Sequence, residues 1–193
     1  MSGTDPMQRL AADRAAARAR QDPCAGLCTV ANVDESGLPQ QRTLVLRDLE
    51  ARLAVFVNST SPKWPSLRQG PVSVLVWLPS LNVQYRLACR TDPVPEHLVH
   101  ASWQLRPDSP KRLDWFYTHH APQSSTVGSR EELLSALASL ALPEPLTAPP
   151  TAQGLYLHPL TVERLDLTQD NGVHDRRSYR RDEDIWIETT LTP

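Results

Sequence analysis

Six polar side chains end, or alternate within, apolar runs: Arg42 and Arg47 bracket TLVL, Lys63 follows Ser61-Pro62, Gln84 and Arg86 punctuate NVQYR, and Arg176 follows His174-Asp175. A strand-end arginine is costly to bury without a partner, and its planar fork of donors matches a phosphate. Each of these residues alone reads as a solvated charge; together they point to a phosphorylated ligand. Other chemistries lack their signatures. There is no G-x-G-x-x-G, no P-loop and no G-x-S-x-G, which removes the usual support for dinucleotide binding and acyl transfer. His97-x-x-His100, with Glu96 beside it, has helical spacing but no third or fourth ligand, and His119-His120 read as surface residues, so no metal is expected. Cys24, Cys28 and Cys89 match neither a zinc ribbon nor a C-x-x-C pair and read as small, partly buried thiols without a chemical role.

The elements that must position these groups follow from composition and punctuation. The chain has 193 residues with 20 Lys+Arg against 22 Asp+Glu, a net charge of −2, and 40% hydrophobic residues, which predicts one globular domain over 1–193. The even charge balance offers no footprint for nucleic acid. No run approaches the ~18 apolar residues of a membrane span, and Met1 to Gln21 is polar and Arg-rich rather than a signal peptide, so the expectation is a cytoplasmic protein with no membrane contact. Eighteen prolines against seven glycines predict short elements and argue against a long helical bundle.

Residues 1–22 carry a leading helix, Met7 to Gln21, with Pro6 suited to its first turn and Pro23 beyond its end. GLCTVANV, QRTLVLRDL and RLAVFVN then read as a strand meander. Ser61-Pro62 predicts the cap of a short helix to Gln69, stopped by Gly70-Pro71. VSVLVWLP and NVQYRLACR follow as strands, and the absence of alternation over Val72 to Trp77 predicts cover on both faces. Residues 93–150 form a helical excursion and linker: Pro93 to Leu105, Ser109 to His119, a capping box from Ser129 to Glu132 ahead of LLSALASLAL, and the Pro-rich stretch Pro143 to Pro150. GLYLHPL, TVERLDLTQ, DRRSYRR and IWIETTL return as strands, and the antiparallel run predicts a small barrel.

From about Gly26 onward these residues, in this order, resemble the pyridoxamine 5'-phosphate oxidase-like flavin split-barrel family. The resemblance lies in TVANVDESGLPQQRTLVLR with its R-x-x-x-L-[KR] strand, FVNSTSPKWPSL, VLVWLPSLNVQYRL, and most specifically GVHDRRSYRRDEDIWIETTLTP. It implies a mainly β fold, an antiparallel six-stranded split barrel with peripheral helices, and a homodimer holding FMN at its interface. Residue by residue, it implies that Arg42 and Lys63 hold the FMN phosphate. Thr43, Leu44 and Val45 would run along the isoalloxazine, with Phe56 and Val57 beside it. Gln84 lies near the ring, Gln123-Ser124 matches a pair contributed by the partner subunit, and Arg176 is a further flavin-side arginine. Toward the substrate it implies Arg47, Arg106, Ser109 and His174. The cofactor would carry the electron transfer, so no protein nucleophile is needed.

The sequence also departs from the family. Pro62 replaces a basic residue, Gly172 stands where the oxidases have an arginine two residues before His174, and Leu165 replaces a tryptophan. The segment from Arg106 to Ser109 is one residue short, and Trp115, Phe116 and Tyr117 lie in a longer insertion that is expected to reshape the pocket. The expectation is therefore an FMN-dependent oxidoreductase acting on an unidentified small molecule. Three readings stay open beside it: an authentic pyridoxamine/pyridoxine 5'-phosphate oxidase, a non-catalytic flavin- or haem-binding module with a histidine from the excursion as ligand, and a deazaflavin in place of FMN.

Overall fold

The computed structural model describes residues 5–183 and 185–193. A helix, α1 (Pro6–Ala19), leads into strands β1 (Leu27–Val33), β2 (Pro39–Val45), β3 (Arg47–Leu49) and β4 (Arg52–Asn58). A short helix α2 (Trp64–Gln69) precedes β5 (Val72–Leu78) and β6 (Val83–Pro93). Helices α3 (Glu96–Gln104), α4 (Asp108–His119) and α5 (Arg130–Ala138) intervene before β7 (Ala152–Asp166), β8 (Asp175–Asp182) and β9 (Ile185–Leu191). All the strands join one antiparallel sheet in the order β2-β1-β5-β6-β7-β4-β3, with β8 and then β9 branching from β7. The sheet curls around a core that includes Val30, Val55, Val74, Val76, Leu87, Leu155 and Val162. Each such fully buried side chain contributes roughly 1.5–3 kcal/mol.

The split-barrel expectation holds, with nine strands among the described residues where the family resemblance implied a six-stranded barrel. Two of the strand runs read from the sequence differ from those observed. The run QRTLVLRDL breaks at Leu46, whose N–H donates to the Gly26 carbonyl at 2.9 Å, so β3 is a separate piece pairing with β4. GLYLHPL and TVERLDLTQ, expected as two strands, are the single β7. Its pairing with β6 shifts register so that Ala88 faces Thr161 and Cys89 faces Pro159, leaving Leu160 without a facing residue. That bulge absorbs a proline that has no N–H to give the ladder. At the same place the other edge of β7 changes partner, from β4 over 152–157 to β8 over 161–166.

Cross-strand register defines two faces. Arg42, Val30, Val74, Leu87, Val162 and Tyr179 form one row on the inner face. Thr43, Thr29, Leu75, Arg86, Glu163 and Ser178 form the neighbouring row on the outer face. Strand β5 alternates after all: Val72, Val74, Val76 and Leu78 are buried, while Ser73 is exposed and Leu75 and Trp77 are half-buried. The Ser61 cap is also corrected. Ser61 closes a turn on Trp64, and α2 begins after Lys63. The Ser129 cap is present, its Oγ accepting from the Glu132 N–H at 3.1 Å, although α5 ends at Ala138, short of the expected LLSALASLAL run.

Helix α1 buries Leu10, Arg14 and Ala17 at i, i+4 and i+7 against the barrel and ends at Ala19 rather than Gln21. Arg14 is fully buried; its guanidinium donates to the carbonyls of Ala25 and Leu46 and pairs with Asp48 at 2.6 Å. On the same helix, Asp13 accepts from the Tyr85 hydroxyl at 2.6 Å and pairs with buried Arg164 at 3.2 Å. No described helix is long and apolar enough to cross a membrane.

Candidate functional site

Because β2 pairs with β1 alone and β3–β4 form the far end of the sheet order, the barrel is not closed between them. A cleft of about 420 Å³ opens at this split, walled by Thr43, Leu44 and Val45 of β2, Phe56 and Val57 of β4, and Val99, Ser102 and Trp103 of α3. A second lobe of about 170 Å³ shares Leu44, Phe56, Val57 and Arg106 with it and ends at Lys63 and Gln123. Gly154 faces Phe56 across β4 and β7, and a Cβ there would stand 3.0 Å from both the Phe56 ring and the Val94 Cβ. Glycine thus leaves room for the Phe56 ring, a wall of both lobes, against β7.

Two cations at the far end of the smaller lobe, Lys63 in its lining and Arg42 nearby, are completed only by neutral groups. Lys63 Nζ donates to Ser61 Oγ at 2.8 Å and to Gln123 Oε1 at 3.3 Å. Arg42 donates to Asn32 Oδ1 and, at 3.4 Å, to the Val30 carbonyl; Asn32 in turn is tied to Ser66 at 2.7 Å. Among the described residues neither cation has a carboxylate partner. Burial holds the Lys63 ammonium below the usual lysine range, and the nearby Arg42 charge pushes it the same way. Burial lowers Arg42 as well. Two neighbouring, partly desolvated positive charges, neither held in an ion pair while the Asp114 carboxylate of the same lobe is taken by Arg106, favour an anion.

Arg106 lines both lobes, and its guanidinium is paired with Asp114 of the smaller lobe, a carboxylate only 5% exposed that also accepts from Trp103 Nε1 at 2.8 Å and from Asn58 Nδ2 at 3.4 Å. Asp48, a lining residue of the larger lobe, is neutralised by Arg14 and by Arg18 at 3.0 Å. Arg47, exposed on β3, lines the same lobe and makes no ion pair among the described residues.

The fold thus gathers Arg42, Thr43, Leu44, Val45, Arg47, Phe56, Val57, Lys63, Arg106 and Gln123 in or beside the split. Gln123 lines the smaller lobe of its own chain: the loop after α4 returns over Thr60, whose Oγ1 accepts from the Gln123 N–H at 3.1 Å. Ser124 follows it on the exposed side of that turn. Gln84 and Arg176 are elsewhere. They share a row with Trp77 and Leu165 on the outer face, where Arg176 makes a two-pronged ion pair with Glu163 at 3.1 and 3.2 Å. Ser109 and His174 are exposed and line neither lobe. Of the insertion aromatics only Tyr117 reaches the site; Trp115 bonds the Thr147 carbonyl and stacks on His119, and Phe116 stacks on His120.

Sequence reasoning missed Ser102, Trp103, Asp114 and Gln153. Helical spacing marks α3 and α4 as amphipathic without saying which face meets β4. Cys28 and Cys89 are buried, which pushes both thiols up to about 12, against nucleophilic use. Among the described residues no group of three or more His, Cys, Asp or Glu side chains could hold a metal ion.

No protein-family model matches the chain. Curated relatives do. It is 32% identical to the pyridoxine/pyridoxamine 5'-phosphate oxidase of Myxococcus xanthus (strain DK1622), over 98% of this chain and 92% of the relative. It is 30% identical to that of Pseudomonas fluorescens (strain SBW25), over 92% and 83%. Among solved structures, PhzG from Burkholderia lata 383 in complex with tetrahydrophenazine-1-carboxylic acid superposes with a TM-score of 0.83 at 23% identity, covering 98% of this chain and 93% of PhzG. A pyridoxamine 5'-phosphate oxidase-related, FMN binding protein from Nostoc punctiforme PCC 73102 superposes with a TM-score of 0.78 at 22% identity, covering 99% of both chains.

Proposed function

The chain belongs to the pyridoxine/pyridoxamine 5'-phosphate oxidase family, and from that premise we propose that it is an FMN-dependent oxidoreductase acting on a small organic molecule. The observation that carries this reading is the pair Arg42 and Lys63, two half-buried cations bonded only to neutral groups beside a largely apolar cleft. A phosphate dianion supplies the missing charge, and an isoalloxazine suits the walls made by Leu44, Phe56 and Val57. Lys63 and Arg42 hold the phosphate, Gln123 orients the lysine, and the free edge of β2 at Thr43 to Val45 offers backbone donors and acceptors to the ring's polar rim. Bound there, FMN supplies hydride or electron transfer.

The residues on the outer face extend this reading to a homodimer. Gln84 and Arg176 lie on the opposite side of the sheet from Arg42, beside half-buried Trp77 and Leu165, so they serve the FMN of a second copy. A monomeric mass in light scattering for the FMN-loaded protein would overturn that assignment.

The test of the cofactor is the visible spectrum of the purified protein, followed by release of the chromophore on denaturation. A flavin spectrum with released FMN is expected. A colourless protein that takes up no added FMN would sink the proposal, and haem or deazaflavin titration would then decide what the cleft holds. A second reading, turnover of pyridoxine or pyridoxamine 5'-phosphate itself, is favoured by the named activity of the 30–32% identical relatives. Aldehyde formation at roughly 1 per second or faster is the result expected of it.

A further inference from the structure

We infer that the organic ligand sharing the cleft with FMN is an apolar molecule bearing a single carboxylate rather than a phosphate monoester, that Arg47 reads the carboxylate, and that Asp114 sets this preference by withdrawing Arg106. The inference rests on FMN occupying the Lys63 end of the split, which leaves the α3 end for the second ligand.

The charges of the larger lobe decide it. Two of its lining residues besides Arg47 carry charge, Asp48 and Arg106, and each is already answered within the protein. Asp48 is held by Arg14 and Arg18, so it neither repels an anion nor attracts a cation. Arg106, which the resemblance assigns to a substrate phosphate, is committed to Asp114. Asp114 is not free to release it: the carboxylate is buried and is fixed by Trp103 Nε1 and Asn58 Nδ2, donors from α3 and β4. Taking Arg106 away would leave a buried carboxylate without the one cation it pairs with among the described residues, which costs several kcal/mol. Arg47 alone remains as an unpaired cation on this lobe among the described residues. One guanidinium matches one carboxylate through two parallel hydrogen bonds, whereas a phosphate monoester, near −2 at neutral pH, calls for two or more cations. The rest of the lobe, with Leu49, Val99, Trp103 and Leu105 among its walls, suits an apolar body.

The experiment uses two probes with one ring system and different heads, 2-naphthoate and 2-naphthyl phosphate, titrated calorimetrically into the FMN-loaded protein. FMN content is fixed from the visible spectrum beforehand, so loss of FMN and loss of head-group preference are read separately. The expected result is that naphthoate binds at least about tenfold more tightly than naphthyl phosphate, and that Arg47→Gln removes most of that advantage. Asp114→Asn keeps an acceptor for Trp103 but frees the Arg106 charge, and shifts the preference toward the phosphate by about tenfold. Tighter phosphate binding by the unaltered protein would overturn the inference. So would naphthoate affinity that is insensitive to Arg47→Gln, a variant at an exposed position that does not threaten the fold. A folded Asp114→Asn protein with unchanged preference would overturn the role of Asp114.

Discussion

Arg14 and Arg42 are both arginines anchored at the rim of one barrel, and the protein completes only the first. Arg14, with no solvent exposure, meets a carboxylate and two backbone carbonyls, and through them ties α1 to the start of β1 and to the β2–β3 junction. Arg42 meets one amide oxygen and one distant carbonyl and stands near a second cation. A buried charge without its counter-charge is a cost carried by the folded chain, and such a cost at a cleft is the mark of a ligand site. The contrast separates structural from functional cations where residue type alone does not.

The largest expected effect is at the completed site. Arg14→Met leaves the buried carbonyls of Ala25 and Leu46 without their donor and Asp48 with Arg18 alone, and denaturant unfolding should register a loss of about 2–5 kcal/mol. A loss below about 1 kcal/mol would break the comparison. At the incomplete site the same kind of change should leave folding alone and strike binding. Arg42→Gln is expected to weaken FMN by roughly ten- to a hundredfold, about 1.5–3 kcal/mol, while stability without FMN stays within about 0.5 kcal/mol or rises. Flavin fluorescence titration beside thermal unfolding separates the two.

A pH series sharpens the point with a smaller effect. Burial, then Arg42, lowers the Lys63 pKa in the folded protein, so between that value and the ordinary ~10.4 the unfolded chain binds more protons. The FMN-free protein therefore gains stability as pH rises through that window. A bound phosphate favours the charged lysine, so FMN affinity should fall severalfold over the same window, and Lys63→Met should abolish both trends. The smallest effect belongs to Arg18, which shares Asp48 with Arg14 but is about half exposed. Arg18→Gln should cost under about 1 kcal/mol in the same unfolding assay.

How far these features could be read beforehand depends on how local their causes are. The Ser129 cap, the Pro6 start of α1 and the alternation of β1 depend on neighbours in sequence and are legible there. Arg42 and Lys63 were legible because basic residues beside apolar runs are uncommon, and the family resemblance implies their roles. Asp114 was not, because its partners Trp103 and Asn58 lie on other elements and only packing brings them together. The continuity of β7 through Pro159 was hidden for the same reason: a bulge is a property of a pairing, and the partner strand is far away in sequence. Gln123 reaches the Lys63 lobe of its own chain through the loop after α4, a placement that a motif carries no information about.

The excursion between β6 and β7 also sets an order of events during synthesis. Strand β4, one wall of the cleft, takes its second edge from β7, with Asn58 opposite Ala152 and Leu53 opposite Leu157. A ribosome must therefore emit α3, α4, α5 and the proline-rich stretch before that wall has its neighbour, and the entropy of closing so long a loop delays the pairing. The meander of β1 and β2 can form early from local contacts, whereas the cleft is among the last parts of the chain to acquire a shape. Nascent chains halted before residue 152 should leave β4 without that neighbour, open to chaperones or to another chain's strand.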